Sequence, residues 1–221
     1  MRSNMYKMLS IVFVASLLLG CNKQDWDVSI KSEVKFQSSA NEVTIAGKQF
    51  VMDQIEIDLS EMRIEGERIQ SGPIDILLAD NTNSDFLNAT TTKPFDLPIG
   101  TYPEMYFTTS VQSNGSPSVN IHGTYYLGNG DTYDVIIALE IDQNVMTQLT
   151  DTDGSNTILI EEDSQKSISF TLDTEILFSD LNPGLWNAAA VTNNNGAQTI
   201  QVDALNNANI YNAISGKIGE S

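Results

Sequence analysis

Apolar residues at every second position dominate this chain, and a period of two belongs to a half-buried β-strand whose side chains leave alternate faces. Val28, Ile30, Val34 and Phe36 share one phase, and Val43 and Ile45 begin a second run. Ile55, Ile57 and Leu59 alternate with Glu56 and Asp58, then Met62 and Ile64 continue one residue out of phase. That slip predicts a bulge near Ser60-Glu61. Ile74 to Ala79 reads as a short, more continuously apolar strand, and Asp80 to Thr92 as a polar loop without periodicity. Phe95, Leu97 and Ile99 resume the alternation, and Met105 to Val111 is rich in β-formers before an Asn114-Gly115 turn. Val119, Ile121, Gly123 and Tyr125 lie on one face, and Gly128-Asn129-Gly130-Asp131 turns the chain into Tyr133 to Ile141. A second hairpin is expected from Ile158–Ile160 to Ile168, Phe170 and Leu172.

The tail changes period. Ile176, Leu177, Phe178 and Leu181 suggest a short helix or turn closed by Asn182-Pro183-Gly184, and Gln198 to Val202 a brief strand. Asn207 then stands as an N-cap before Ile210, Tyr211, Ile214 and Ile218, which form one apolar helical stripe. Many short strands and one terminal helix predict a mostly-β sandwich with Greek-key connections. No linker or fixed-period repeat divides it, so residues 28–221 read as a single β-sandwich domain.

The amino terminus has another character. Arg2 and Lys7 precede the apolar run Leu9 to Leu19, which is too short for the roughly 20 residues of a membrane-spanning helix. It ends at Leu18-Leu19-Gly20-Cys21, which resembles the lipobox of bacterial lipoproteins. The resemblance implies cleavage before Cys21, diacylglycerol on its thiol and usually a third acyl chain on the new amino group. Residues 1–21 are thus read as a lipoprotein signal peptide ending at the lipidated cysteine. Residues 22–27 form a polar tether, whose acidic content resembles the signals that send Bacteroidota lipoproteins to the outer face of the outer membrane.

Charge and cysteine usage exclude several functions. The net charge of −18 becomes −20 once Arg2 and Lys7 leave with the signal, a sign that repels phosphate backbones and argues against nucleic-acid partners. Membrane attachment must then come from acyl chains, of which stable anchoring needs two or more. Cys21 is the only cysteine, so neither an intrachain disulfide nor a cysteine-based metal or thiol centre is available to the domain. His122 is the only histidine; it lies on a strand opposite in phase to Ile121, and no Gly-x-Ser-x-Gly elbow accompanies it.

Two constellations remain. Asp151, Asp153, Asn156 and Glu162 gather oxygen ligands over an EF-hand-like span. Glycine falls at the fourth position and Asn156 at the sixth, where the calcium loop turns on glycine, so Asx-turn chemistry explains the segment more simply. Tyr102, Tyr106, Tyr125, Tyr126, Tyr133 and Trp186 offer stacking surfaces for sugars, although Trp186 reads better as a plug at the end of the sandwich. Among the abundant Asp and Glu residues nothing marks a pair spaced for glycoside hydrolysis.

Three stretches together resemble a family of Bacteroidota lipoproteins. They are Asp53 to Leu59 with Pro73 to Leu78, Leu97-Pro98-Ile99-Gly100-Thr101-Tyr102, and Leu172 to Leu181 with Thr199 to Val202 and Asn209 to Ile214. The resemblance implies an immunoglobulin-like or transthyretin-like β-sandwich without an assigned catalytic residue. The expectation is a membrane-anchored extracytoplasmic lipoprotein of the outer membrane, a non-catalytic binding or assembly module without cofactor or metal. Its partner would be another envelope protein or, alternatively, a surface glycan.

Overall fold

The computed structural model describes residues 28–69, 71–88, 92–113, 115–151, 153–163, 166–194 and 196–220. The signal peptide, Cys21 and the 22–27 tether lie outside the described residues, as do Asn114, Thr152, Ser164 and Gln165. Strands come first: β1 (Ser29–Ser38), β2 (Glu42–Ile45), β3 (Lys48–Arg68), β4 (Gly72–Asp85), β5 (Thr92–Pro98), β6 (Gly100–Tyr102) and β7 (Glu104–Val111). Next are β8 (Val119–Tyr126), β9 (Thr132–Leu139), β10 (Gln143–Gln148), β11 (Ile158–Ile160) and β12 (Ser167–Leu172). Two short helices, α1 (Thr174–Phe178) and α2 (Pro183–Asn187), precede β13 (Val191–Asn194), β14 (Ala197–Val202) and α3 (Ala208–Ser215). The fold is a mostly-β sandwich with a short C-terminal helix.

β3 is the spine of the larger sheet. Along one edge it pairs with β2 and then β4, and along the other with β8 and then β7. The register slips between Met52 and Gln54, and again between Ser60 and Arg63, where Glu61 takes φ +49°. Each bulge inserts one residue and flips the phase, so Phe50 and Met52, then Ile55, Ile57 and Leu59, then Met62 and Ile64 are all buried. The second slip is the bulge expected at Ser60-Glu61. β9, β14 and β13 extend this sheet beyond β8, and β10 extends it beyond β7.

The smaller sheet has the order β12-β1-β5. Its inner side chains meet those of the larger sheet in a phenylalanine cluster. Phe36 and Phe170 are register partners, and Phe107 from β7 lies 5.0 Å from Phe170 between ring centroids. Phe86 lies 5.7 Å from Phe36. Tilted and edge-on rings of this kind add about 0.5–1.5 kcal/mol per pair beyond the area they bury. β1 pairs with β12, and β9 with β14, in parallel, a departure from wholly antiparallel Greek-key pairing.

Other expectations need correction. The β8–β9 hairpin forms, with Tyr125 opposite Tyr133 and Leu127 N–H bonded to Asp131 across the glycine turn. The expected second hairpin does not: β11 pairs with β6, and β12 with β1, so each strand finds a partner far away in sequence. Asp80 to Asp85, read as loop, extends β4 along β3, because an edge strand held by backbone bonds tolerates polar side chains on both faces. Asn83 adds a hydrogen bond to Asp58 at 2.9 Å.

Asn182-Pro183 opens α2 rather than closing a turn. Pro183 sits in the first turn, where its missing N–H costs nothing, and the Asn182 side chain accepts from Gly184 N–H at 2.7 Å. Asn207 adopts a left-handed conformation and makes no side-chain cap. Its amide accepts from Ala190 N–H and donates to Gln201 C=O, tying α3 to β13 and β14. The apolar stripe docks as its spacing requires, with Ile210, Ile214 and Ile218 buried.

Candidate functional site

The sandwich is left open along one side. β10 is a terminal strand of the larger sheet and β12 of the smaller, so among the described residues each has one edge without a strand partner. Between them lies a cleft of about 360 Å³. Its floor comes from buried apolar side chains of four segments, Leu97, Met105, Leu149, Ile158 and Ile160. Ile158 and Ile160 reach it because the two-stranded β6–β11 sheet turns alternate residues inward, leaving Leu159 outside. The walls are polar strand edges, Thr147 and Gln148 on one side and Ser167 and Ser169 on the other.

One ion pair spans the mouth. Lys166 Nζ donates to Asp151 Oδ1 at 2.8 Å, with the side chains 23% and 17% exposed. Desolvation offsets much of the Coulomb gain at such burial, so the pair acts mainly by position, fixing the loop after β10 to the start of β12. The geometry suits an extended chain segment, whose backbone can pair with a free edge while alternate side chains enter the apolar floor.

The oxygen-rich loop is closed on itself. Asp151 is engaged by Lys166, and Asp153 Oδ1 accepts from Ser155 N–H at 2.8 Å in an Asx turn. Glu162 is exposed. Among the described residues no three His, Cys, Asp or Glu side chains converge as metal ligands.

The aromatic residues divide by burial. Tyr102, Tyr125 and Trp186 are core residues at 0%, 2% and 2% exposure. Trp186 seals the sandwich against Tyr125, 5.4 Å away between ring centroids, and Phe50 at 6.4 Å. Burial raises the Tyr125 phenol pKa above the ordinary tyrosine value, and its hydroxyl donates to Ile45 C=O. Tyr133 shares the inward phase of Val135 and packs against the core. Tyr106 and Tyr126 remain outward, on different strands. His122 is half-buried on the outer face opposite Gln54 and Ile136, while Ile121 is wholly buried.

The sequence motif at 97–102 is a structural device. Tyr102 hydroxyl donates to Pro98 C=O at 2.7 Å, the bond that a tyrosine corner uses to fix a sandwich turn. Gly100 has φ +152°, and a Cβ there would stand 2.4 Å from Arg68 Cδ, so the motif needs glycine. The cleft itself escaped sequence reasoning, because its walls are distant in sequence. One signal could have pointed to it: Lys166 is the only lysine or arginine between Lys93 and Lys217. No protein-family model matches the chain, and neither a curated protein nor a solved structure matches it.

Proposed function

We propose that this chain is an outer-membrane lipoprotein, acylated at Cys21, whose β-sandwich is a non-catalytic module that binds another protein of the cell envelope. The lipobox-like run supports the anchor. The cleft between the free edges of β10 and β12 supports the binding role, and it is the observation that carries this reading. Unpaired strand edges are templates for strand addition, and an apolar floor beside them selects which side chains can enter. A glycan-binding role draws less support, because three of the six aromatic side chains that would stack on sugars are inside the core.

Site-specific photocross-linking tests the binding role. A photoreactive residue at Thr147, exposed on the β10 edge, should capture a discrete envelope protein in intact cells, and one at His122 should not. Equal capture at both positions, or none at Thr147, would overturn the cleft as the contact surface.

A further inference from the structure

The end of the sandwich that receives the amino-terminal tether also carries exposed apolar side chains on adjoining backbone segments. Val28 C=O accepts from Ile99 N–H, which places the entry of the chain beside β6. Two residues on, Thr101 C=O accepts from Ile69 N–H, and Thr101 is the register partner of Leu159. Val28, Ile69 and Leu159 are 37%, 52% and 49% exposed. Ile69 and Leu159 point away from the core because the residues beside them point in: Arg68, Ile158 and Ile160 are buried. Val28 is exposed together with Ser29 at the entry of the chain.

The tether sets what these side chains meet. Six residues lie between Cys21 and Val28, so the seven steps from one to the other have a contour of at most ~25 Å at 3.3–3.6 Å per residue. A domain of about 190 residues has a radius of gyration of ~16 Å and is roughly 40 Å across, wider than the tether is long. A sandwich held so closely cannot turn its far end to the bilayer without stretching the tether past its length. We infer that Val28, Ile69 and Leu159 form a membrane-facing rim that rests on the lipid surface and fixes the orientation of the domain. The occupant of this rim is the lipid surface, and the inference rests on acylation of Cys21. The exposed carboxylates Glu67, Glu104 and Glu161 flank the rim, so it favours zwitterionic over anionic headgroups.

The test uses the full acylated protein in phosphatidylcholine vesicles. Once Cys21 is acylated, an introduced thiol is the only one a fluorophore can label. Leu159→Cys reports on the rim, and Tyr126→Cys, exposed at the end of β8 beside the start of β3, reports on the opposite end. A rim side chain that reaches the headgroup boundary should be quenched by spin-labelled lipid roughly twofold more than the probe at 126. Vesicle flotation separates the two ways to fail. Flotation with equal quenching at both positions would overturn the membrane-facing rim and leave the anchor standing. Absence of flotation, with two labelled thiols per molecule, would overturn the anchor and the rim together.

Discussion

The two ends of β3 are finished differently. At its start, Phe50 is covered by Phe178 from α1, 5.7 Å away and nearly perpendicular, and by Trp186 from α2. The C-terminal third of the chain thus closes that end with helices. At its finish, past Ile64, no helix among the described residues covers the sheet; the small β6–β11 pair and the bond from Tyr102 to Pro98 hold the turns. There the cleft opens and Ile69 and Leu159 stand exposed. The difference separates two treatments of apolar surface: one end is sealed by packing, and the other leaves apolar side chains exposed, where we place the contact surfaces.

That contrast breaks most directly at the sealed end. Trp186→Ala should remove the plug over Phe50 and Tyr125 and cost about 3–5 kcal/mol in denaturant unfolding. A loss below about 1 kcal/mol would mean the helices are not what closes the core. In the middle of the sheet, Ile121→Ala should cost about 2–5 kcal/mol and His122→Ala within about 0.5 kcal/mol, because adjacent residues face opposite sides. Equal losses would show the two faces are assigned wrongly.

At the open end the effects are smaller. Tyr102→Phe deletes only the hydroxyl bonded to Pro98 and should cost about 0.5–1.5 kcal/mol, read as a shift in the unfolding midpoint. A neutral result would sharpen the contrast by showing that ring burial alone fixes this turn. Calcium should do least. With Asp151 held by Lys166 and Asp153 by Ser155, Ca²⁺ and Mg²⁺ should shift the melting temperature alike, and high NaCl should erase the shift. A Ca²⁺-only increase, lost in Asp153→Ala, would show that the loop rearranges to bind the ion.

The regions differ in how far their sequence announces them. β8 and β9 are legible because both alternate cleanly and a glycine turn joins them, so local pattern and tertiary pairing agree. β11 and β12 alternate as well, yet each pairs with a strand more than 50 residues away, which periodicity cannot encode. The polar half of β4 was hidden for another reason: its pairing with β3 is carried by backbone groups, which every residue type but proline supplies in full. The bulge at Ser60-Glu61 was visible because it shifts the apolar phase. The one before Gln54 was not, since the run preceding it, Phe50 and Met52, is too short to establish a phase. The cleft combines residues 97 to 169 and became visible only once both sheets were assembled.

The anchor, and with it the membrane-facing rim proposed at the open end, depends on a lipid at Cys21. Metabolic labelling with a clickable palmitate analogue tests it in the expressing cell, comparing the wild-type chain with Cys21→Ser. The account predicts label on the wild-type protein in the membrane fraction, and none on Cys21→Ser, which should remain unprocessed or soluble. Label retained on Cys21→Ser, or a wild-type protein that is exported without label, would contradict it.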